Sequence, residues 1–222
     1  MFKQLAASLK SLTKGRPKFD PATIEDPVAT LTAWEPLKKG GSNFCTHKLV
    51  SPRSDRIEFQ VTTAAKAFYM IFVLLGVGVV IGATIAQLKS GRFALRIETL
   101  LPLFFGTMFF AVGTVLLRQA MTPIVFDQTK GFFWKGRKAP DEVFNIDKIK
   151  DIACWEEIYA LQLISEYCSS DKSSYYSYEM NLVLQNGERF NVVDHGNKSR
   201  IREDAMTLAA FLNVPVWDGI LD

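Results

Sequence analysis

The chain has only two histidines and three cysteines in 222 residues. His47 and His195 stand on different segments, and no nucleophile–base or acid–base set is apparent around them. Cys45 lies two residues from His47, but no second ligand pair with zinc spacing follows. His195 falls in residues 193–196 (VDHG), where local hydrogen bonds are expected to satisfy it. Cys45, Cys154 and Cys168 are odd in number and show no CxxC spacing, which argues against a disulfide framework and suits a reducing compartment. Neither GxxxxGK[ST] nor GxGxxG occurs, so no phosphate-cradling loop of those types is present. Asp147, Asp151, Glu156 and Glu157 read as a solvated face or the rim of a barrel rather than a paired-carboxylate site. No cofactor, metal or catalytic set is expected, and the chain is read as a non-enzyme.

Charge is also missing, from two long stretches. Residues 67–88 and 100–117 carry no charged side chain, with eleven residues between them. As a helix the first is about 33 Å long, against a bilayer core of about 30 Å. The expectation is a transmembrane helical hairpin whose flanking segments lie on one side. Without ionisable groups, the spans suit an anchor rather than an ion path. Gly78 and Gly82 form a GxxxG pattern that Ala86 continues, and the second span offers Gly106 and Gly113. These five are the expected helix-packing residues, within one chain before a homodimer. Pro102 is placed in the first turn of the second span, where its missing amide proton costs little.

Orientation follows from basic flanks. Lys48, Arg53, Arg56, Lys66, Arg118, Lys130, Lys135 and Arg137 lie outside the hairpin, and only Lys89, Arg92 and Arg96 lie in its loop. Both termini are expected in the cytoplasm, in a bacterial inner membrane. No cleavable signal peptide is visible, because residues 1–66 are polar.

That front is basic and proline-containing. Phe2, Leu5, Leu9 and Leu12 have helical spacing among lysines, which suggests an amphipathic surface helix over residues 2–14. Pro17, Pro21, Pro27 and Pro36 suggest an extended linker. Residues 34–50 carry Lys38, Lys39, His47 and Lys48 with Trp34 and Phe44. They read as a segment packed on the following domain or the bilayer, or as a partner- or lipid-contacting element.

Residues 118–222 change to period two. Residues 123–127 and 132–135 flank a turn at 128–131, and Asn186-Gly187 marks a second hairpin. Further strands are expected near 149–155, 159–168, 175–184 and 189–193. A helix over 198–212 follows, with Ile201, Ala205, Leu208, Ala209 and Leu212 on one face. Asn197 or Ser199 would cap it, and Asn213 and Pro215 would end it.

Antiparallel strands closed by one amphipathic helix resemble a PH-like barrel. The residues behind this are VFDQTKGFFWKG, IDKIKDI, LVLQNGERF and AMTLAAFLNVPVWD. Two spans followed by this order resemble bacterial two-span proteins with a cytoplasmic PH-like domain. The architecture is also similar to the photosystem I assembly factor family. That likeness covers roughly residues 60–218, leaves out the basic front, and implies no photosynthetic role. The fold class expected is membrane α+β, with a front (1–66), a hairpin (67–117) and a PH-like domain (118–222).

The resemblance implies a scaffold or assembly module that binds a membrane protein or complex at the bilayer. The alternative is an anionic-lipid sensor using residues 1–18 together with Lys130, Lys135, Arg137 and Lys138. Nucleic acid is a poor fit: the net charge is only +3, and residues 118–222 carry 12 basic against 16 acidic side chains.

Overall fold

The computed structural model describes residues 19–91, 96–170 and 173–221. The amphipathic helix expected over residues 2–14 lies outside them. Among the described residues, two helices are long and apolar enough to cross a membrane. Calling α1 the short helix Pro27–Leu31, they are α2, Thr63–Ser90, and α3, Ile97–Ala120. Thr62 caps α2 by accepting from the Ala65 amide, and Gly91 ends it at φ +64°. Helix α3 begins three residues before the expected span, so Pro102 lies inside the helix rather than in its first turn. Glu98 occupies that first turn, where the helix dipole favours an acid.

Around this hairpin the chain builds two sheets. The first has order β1 (His47–Arg53), β2 (Arg56–Val61), β3 (Ile124–Asp127), β4 (Phe132–Lys135) and β5 (Ile152–Cys154). The second has order β8 (Arg189–His195), β7 (Ser174–Leu184), β6 (Ile158–Ser169) and β9 (Val216–Asp218). Helix α4, Lys198–Leu212, follows β8, with Asn197 as the cap and Asn213 at φ +56° as the stop. All pairings are antiparallel except β6 with β9.

The sheets share one core. Phe59, Phe126, Phe133, Leu161, Leu163, Met180 and Leu182 meet in it, and α4 adds Ile201, Ala205, Leu208 and Leu212. The expected period-two strands and helix face are therefore the ones buried.

The boundary expected at residue 66 is corrected. β1 and β2 belong to the same sheet as β3–β5, and β2 pairs with β3 through Ile57↔Phe126 and Phe59↔Ile124. The apolar hairpin is thus an insertion between two hydrogen-bonded neighbours. Pairing across the insertion buries Ile57, Phe59 and Val61, which leaves no independent front at 47–61.

The linker expected over residues 17–36 is also revised from residue 19 onward. Asp20 caps a 3-10 turn at Pro21–Ile24 and Asp26 caps α1, with proline in the first turn each time. These short pieces lie on the outer face of the second sheet, where Ala29, Ile24, Val28 and Trp34 pack on Ala160, Val183 and Trp217.

Candidate functional site

Residues 33–41 form a strap held by side chains of the sheet beneath. Glu179 on β7 is buried, and its carboxylate accepts from the Leu37 amide at 3.0 Å and the Lys38 amide at 3.3 Å. Glu166 on β6 accepts from the amides of Gly40 and Gly41 at 3.0 and 3.1 Å. Gln162 donates to Ala33 O, Arg189 to Glu35 O and Tyr175 to Gly41 O, at 2.9–3.1 Å. Anionic acceptors facing successive backbone amides make strong, directional contacts. Glycine is required at 41, since a Cβ there would lie 2.8 Å from Ser177 Cβ.

The strap leads into residues 44–47, which close the gap between the sheets. Gly196 N donates to Phe44 O, and Thr46 Oγ1 donates to Asp194 O. Here the sequence expectation for His195 fails. It is the last residue of β8, fully buried, and its Nδ1 lies 3.2 Å from Cys45 Sγ. The partner is 150 residues away, so no local pattern reveals it. The other ring nitrogen, Nε2, faces Asp204 Oδ2 on α4 at 3.7 Å. Both atoms are buried without a hydrogen bond. Burial lowers the His195 pKa, raises the Cys45 thiol, and pushes Asp204 up to about 6.

Next to this trio lies a second group of ionisable side chains. Burial pushes His47 down to about 4 and Lys135 down to about 8. His47 Nδ1 contacts Thr46 Oγ1 at 3.0 Å. Lys135 Nζ stands 3.8 Å from Asp151, with Lys38, Asp194 and Glu179 also acting on its charge. Burial raises the Asp194 carboxyl, which accepts from Asn191.

The remaining basic candidates are dispersed. Lys130 is paired with Asp141 at 2.5 Å, and Arg137 donates to Arg118 O at the end of α3. Lys138, Lys38, Lys39 and Lys48 are exposed. Of Lys130, Lys135, Arg137 and Lys138, the first two are thus paired with aspartates and Arg137 with a backbone carbonyl.

The helix-packing residues divide. A Cβ on Gly106 would meet Val80 and Gly76 O, and one on Gly113 would meet Phe72 and Val73. Those two face the other helix as expected. Gly78 and Gly82 meet nothing within 4 Å, and Ala86 is exposed. The glycine that touches α3 is Gly76, whose Cβ would lie 2.6 Å from Gly106 O and 2.8 Å from Phe110 Cα. The α2 contact face runs through Phe72, Gly76 and Val80, two residues and so about 200° around the helix from the GxxxG pattern.

One surface was not anticipated. β6 and β7 extend past the core as a long hairpin. Tyr178, Tyr176 and the cross-strand partner Tyr167 continue the face of Met180 and Leu182. Tyr167 and Tyr176 rings lie 5.2 Å apart, Tyr176 and Tyr178 stack at 6.5 Å, and the first two are exposed. Among the described residues, no group of three or more His, Cys, Asp or Glu is placed to hold a metal ion.

No protein family, curated protein or solved structure matches this chain.

Proposed function

We propose that the chain is a membrane-anchored, non-catalytic docking module. Its PH-like domain holds a protein partner, a membrane protein or complex, against the cytoplasmic surface of an inner membrane. The observation that carries this reading is the insertion of the apolar hairpin between β2 and β3. Two helices leaving adjacent paired strands grip the sheet at two points and limit its swivel. An enzyme on a flexible tether has no need of that restraint, whereas a module that presents one face does.

The PH-like reading rests on strands β2–β5 in one sheet, β6–β8 in the other and α4 after β8. The eight basic residues in the flanks 47–66 and 118–137, against three in the loop, support cytoplasmic termini. The partner face assigned is the tyrosine ladder Tyr167, Tyr176 and Tyr178. Tyrosines flanked by serines give large contact area at low entropy cost.

The test is photo-crosslinking from position 176 in native membranes. A discrete crosslinked membrane protein, lost in Tyr167→Ser/Tyr178→Ser, is expected. Crosslinks to lipid and chaperones alone, or a band untouched by those substitutions, would refute the reading.

A further inference from the structure

Cys45, His195 and Asp204 arrive from three separate elements: the strap's end, the end of β8, and α4. Sγ lies 3.2 Å from Nδ1, and Nε2 lies 3.7 Å from Oδ2. Each neighbour is the one a thiol nucleophile needs: first a base, then an acid that orients the base. The other two cysteines lack this. Cys154 lies among Glu156 and Glu157, and Cys168 beside Tyr175 and Glu166.

The two buried atoms without hydrogen bonds carry the argument further. A neutral imidazole with its proton on Nε2 leaves Nδ1 free to accept from the thiol. Nε2 and Oδ2 then stand opposite each other, just too far apart to bond. Once the ring takes the thiol proton, a short closure makes a charge-assisted bond to Asp204. The arrangement is completed only when the thiol gives up its proton.

Its location indicates the reactant. Thr62, the cap of α2, donates to Cys45 O at 2.9 Å, and the Phe44 ring lies 6.0 Å from Phe68, in the second turn of α2. Cys45 is half-buried and free. It therefore sits where the apolar hairpin meets the domain. Under the anchor reading above, on which this step rests, that level is the membrane interface. Long-chain acyl thioesters partition there with the thioester at the polar boundary.

We propose that Cys45 is an acyl-acceptor thiol, with His195 as its base, Asp204 as the residue positioning that base, and a fatty acyl thioester as donor. Sγ attacks the donor's carbonyl carbon as its proton passes to Nδ1. The adduct breaks the donor's carbon–sulfur bond, and Nδ1 returns the proton to the departing thiolate. The products are S-acyl Cys45 and a free thiol, with no change of oxidation state. The acyl chain then pins the strap's end to the bilayer beside α2, adding a third point of attachment.

The test uses the full chain in lipid nanodiscs with palmitoyl-coenzyme A, read by intact mass and peptide mapping. One palmitoyl group on Cys45 is expected, unchanged in Cys154→Ser/Cys168→Ser. His195→Gln should slow the reaction by about 100-fold. Asp204→Asn should slow it by about tenfold and move its pH profile, in a setting where Arg200 and Glu203 of α4 also act on the group. Should His195→Gln fail to fold, Asp204→Asn and its pH profile decide. An unmodified Cys45 in chains that have entered the disc overturns the thiol site alone. Chains that stay outside the disc overturn the anchor and the donor with it. Acetyl-coenzyme A reacting as fast as palmitoyl-coenzyme A overturns the fatty donor, and equal labelling of all three cysteines overturns the role of His195.

Discussion

Gly76→Ala should damage the helical hairpin, whereas Gly78→Ala and Gly82→Ala should not. A Cβ at 76 meets three backbone atoms of α3: Gly106 O at 2.6 Å, Phe110 Cα at 2.8 Å, and Phe110 N closer still. None belongs to a side chain that can rotate away. Ordinary carbon contacts need about 3.5–4.0 Å, so the helices must part by about 1 Å. That gap reaches Gly106 and Gly113, which are packed on Val80, Phe72 and Val73. A separation of this size forfeits a quarter to a half of each dispersion contact. The loss falls in the range of overpacked cores, about 1–3 kcal/mol. At 78 and 82 the added methyl meets nothing, and alanine's helix preference over glycine predicts no loss. Equilibrium unfolding in mixed detergent micelles, followed by helical circular dichroism, measures the difference. Equal destabilisation by Gly78→Ala and Gly76→Ala would refute the contact face described above.

Gly41→Ala should release the strap, seen as faster hydrogen exchange at the Leu37 and Gly40 amides, and Ser177→Gly should restore protection by removing the Cβ that the new methyl strikes. Acid should act on two opposed groups. Asp204, raised to about 6, favours its neutral form, so its contribution is full below its ordinary carboxyl value and is lost as pH rises through 6. His47, lowered to about 4, contributes above its ordinary value near 6.5 and loses that as pH falls toward 4. Between pH 6.5 and 4, Asp204→Asn should therefore steepen the loss of stability and His47→Gln should flatten it, each by on the order of 2 kcal/mol; denaturation midpoints independent of both substitutions would refute the assignment.

Parts of this fold are legible because their signals are local. The uncharged runs need no partner to be recognised. Gly131 at φ +71° and Gly187 at φ +82° sit in turns that the neighbouring alternation already implies. Asn197 and Asn213 bracket α4 by cap chemistry alone. What is hidden is non-local. His195 and Cys45 are 150 residues apart, and a buried aspartate on α4 reads in sequence as part of a solvated REDA stretch. The strap has no periodicity because, Trp34 apart, it is held by its amides, against Glu166 and Glu179. GxxxG is a genuine pattern, but the face a helix presents depends on where its partner lies, and α3 approaches at Gly76.

The hidden pairing of β2 with β3 has its own physical logic. Sixty-two residues separate Val61 from Ile124. Closing a flexible loop of that length costs about 4 kcal/mol in chain entropy before any ladder bond repays it. A formed hairpin removes most of that cost, because its two ends already lie side by side. Packed helices usually stand 8–10 Å apart, and paired strands 4.7–4.9 Å. Gly76, Gly106 and Gly113 hold α2 and α3 close along their length. Thr62 on one side and Met121–Pro123 on the other then need to converge by only a few ångströms to enter the sheet. The helix contact therefore sets the spacing at which β2 meets β3. A disturbance at Gly76 should accordingly weaken the β2–β3 ladder at Phe59↔Ile124 before it reaches β6–β8, because only the first sheet is fed by the hairpin.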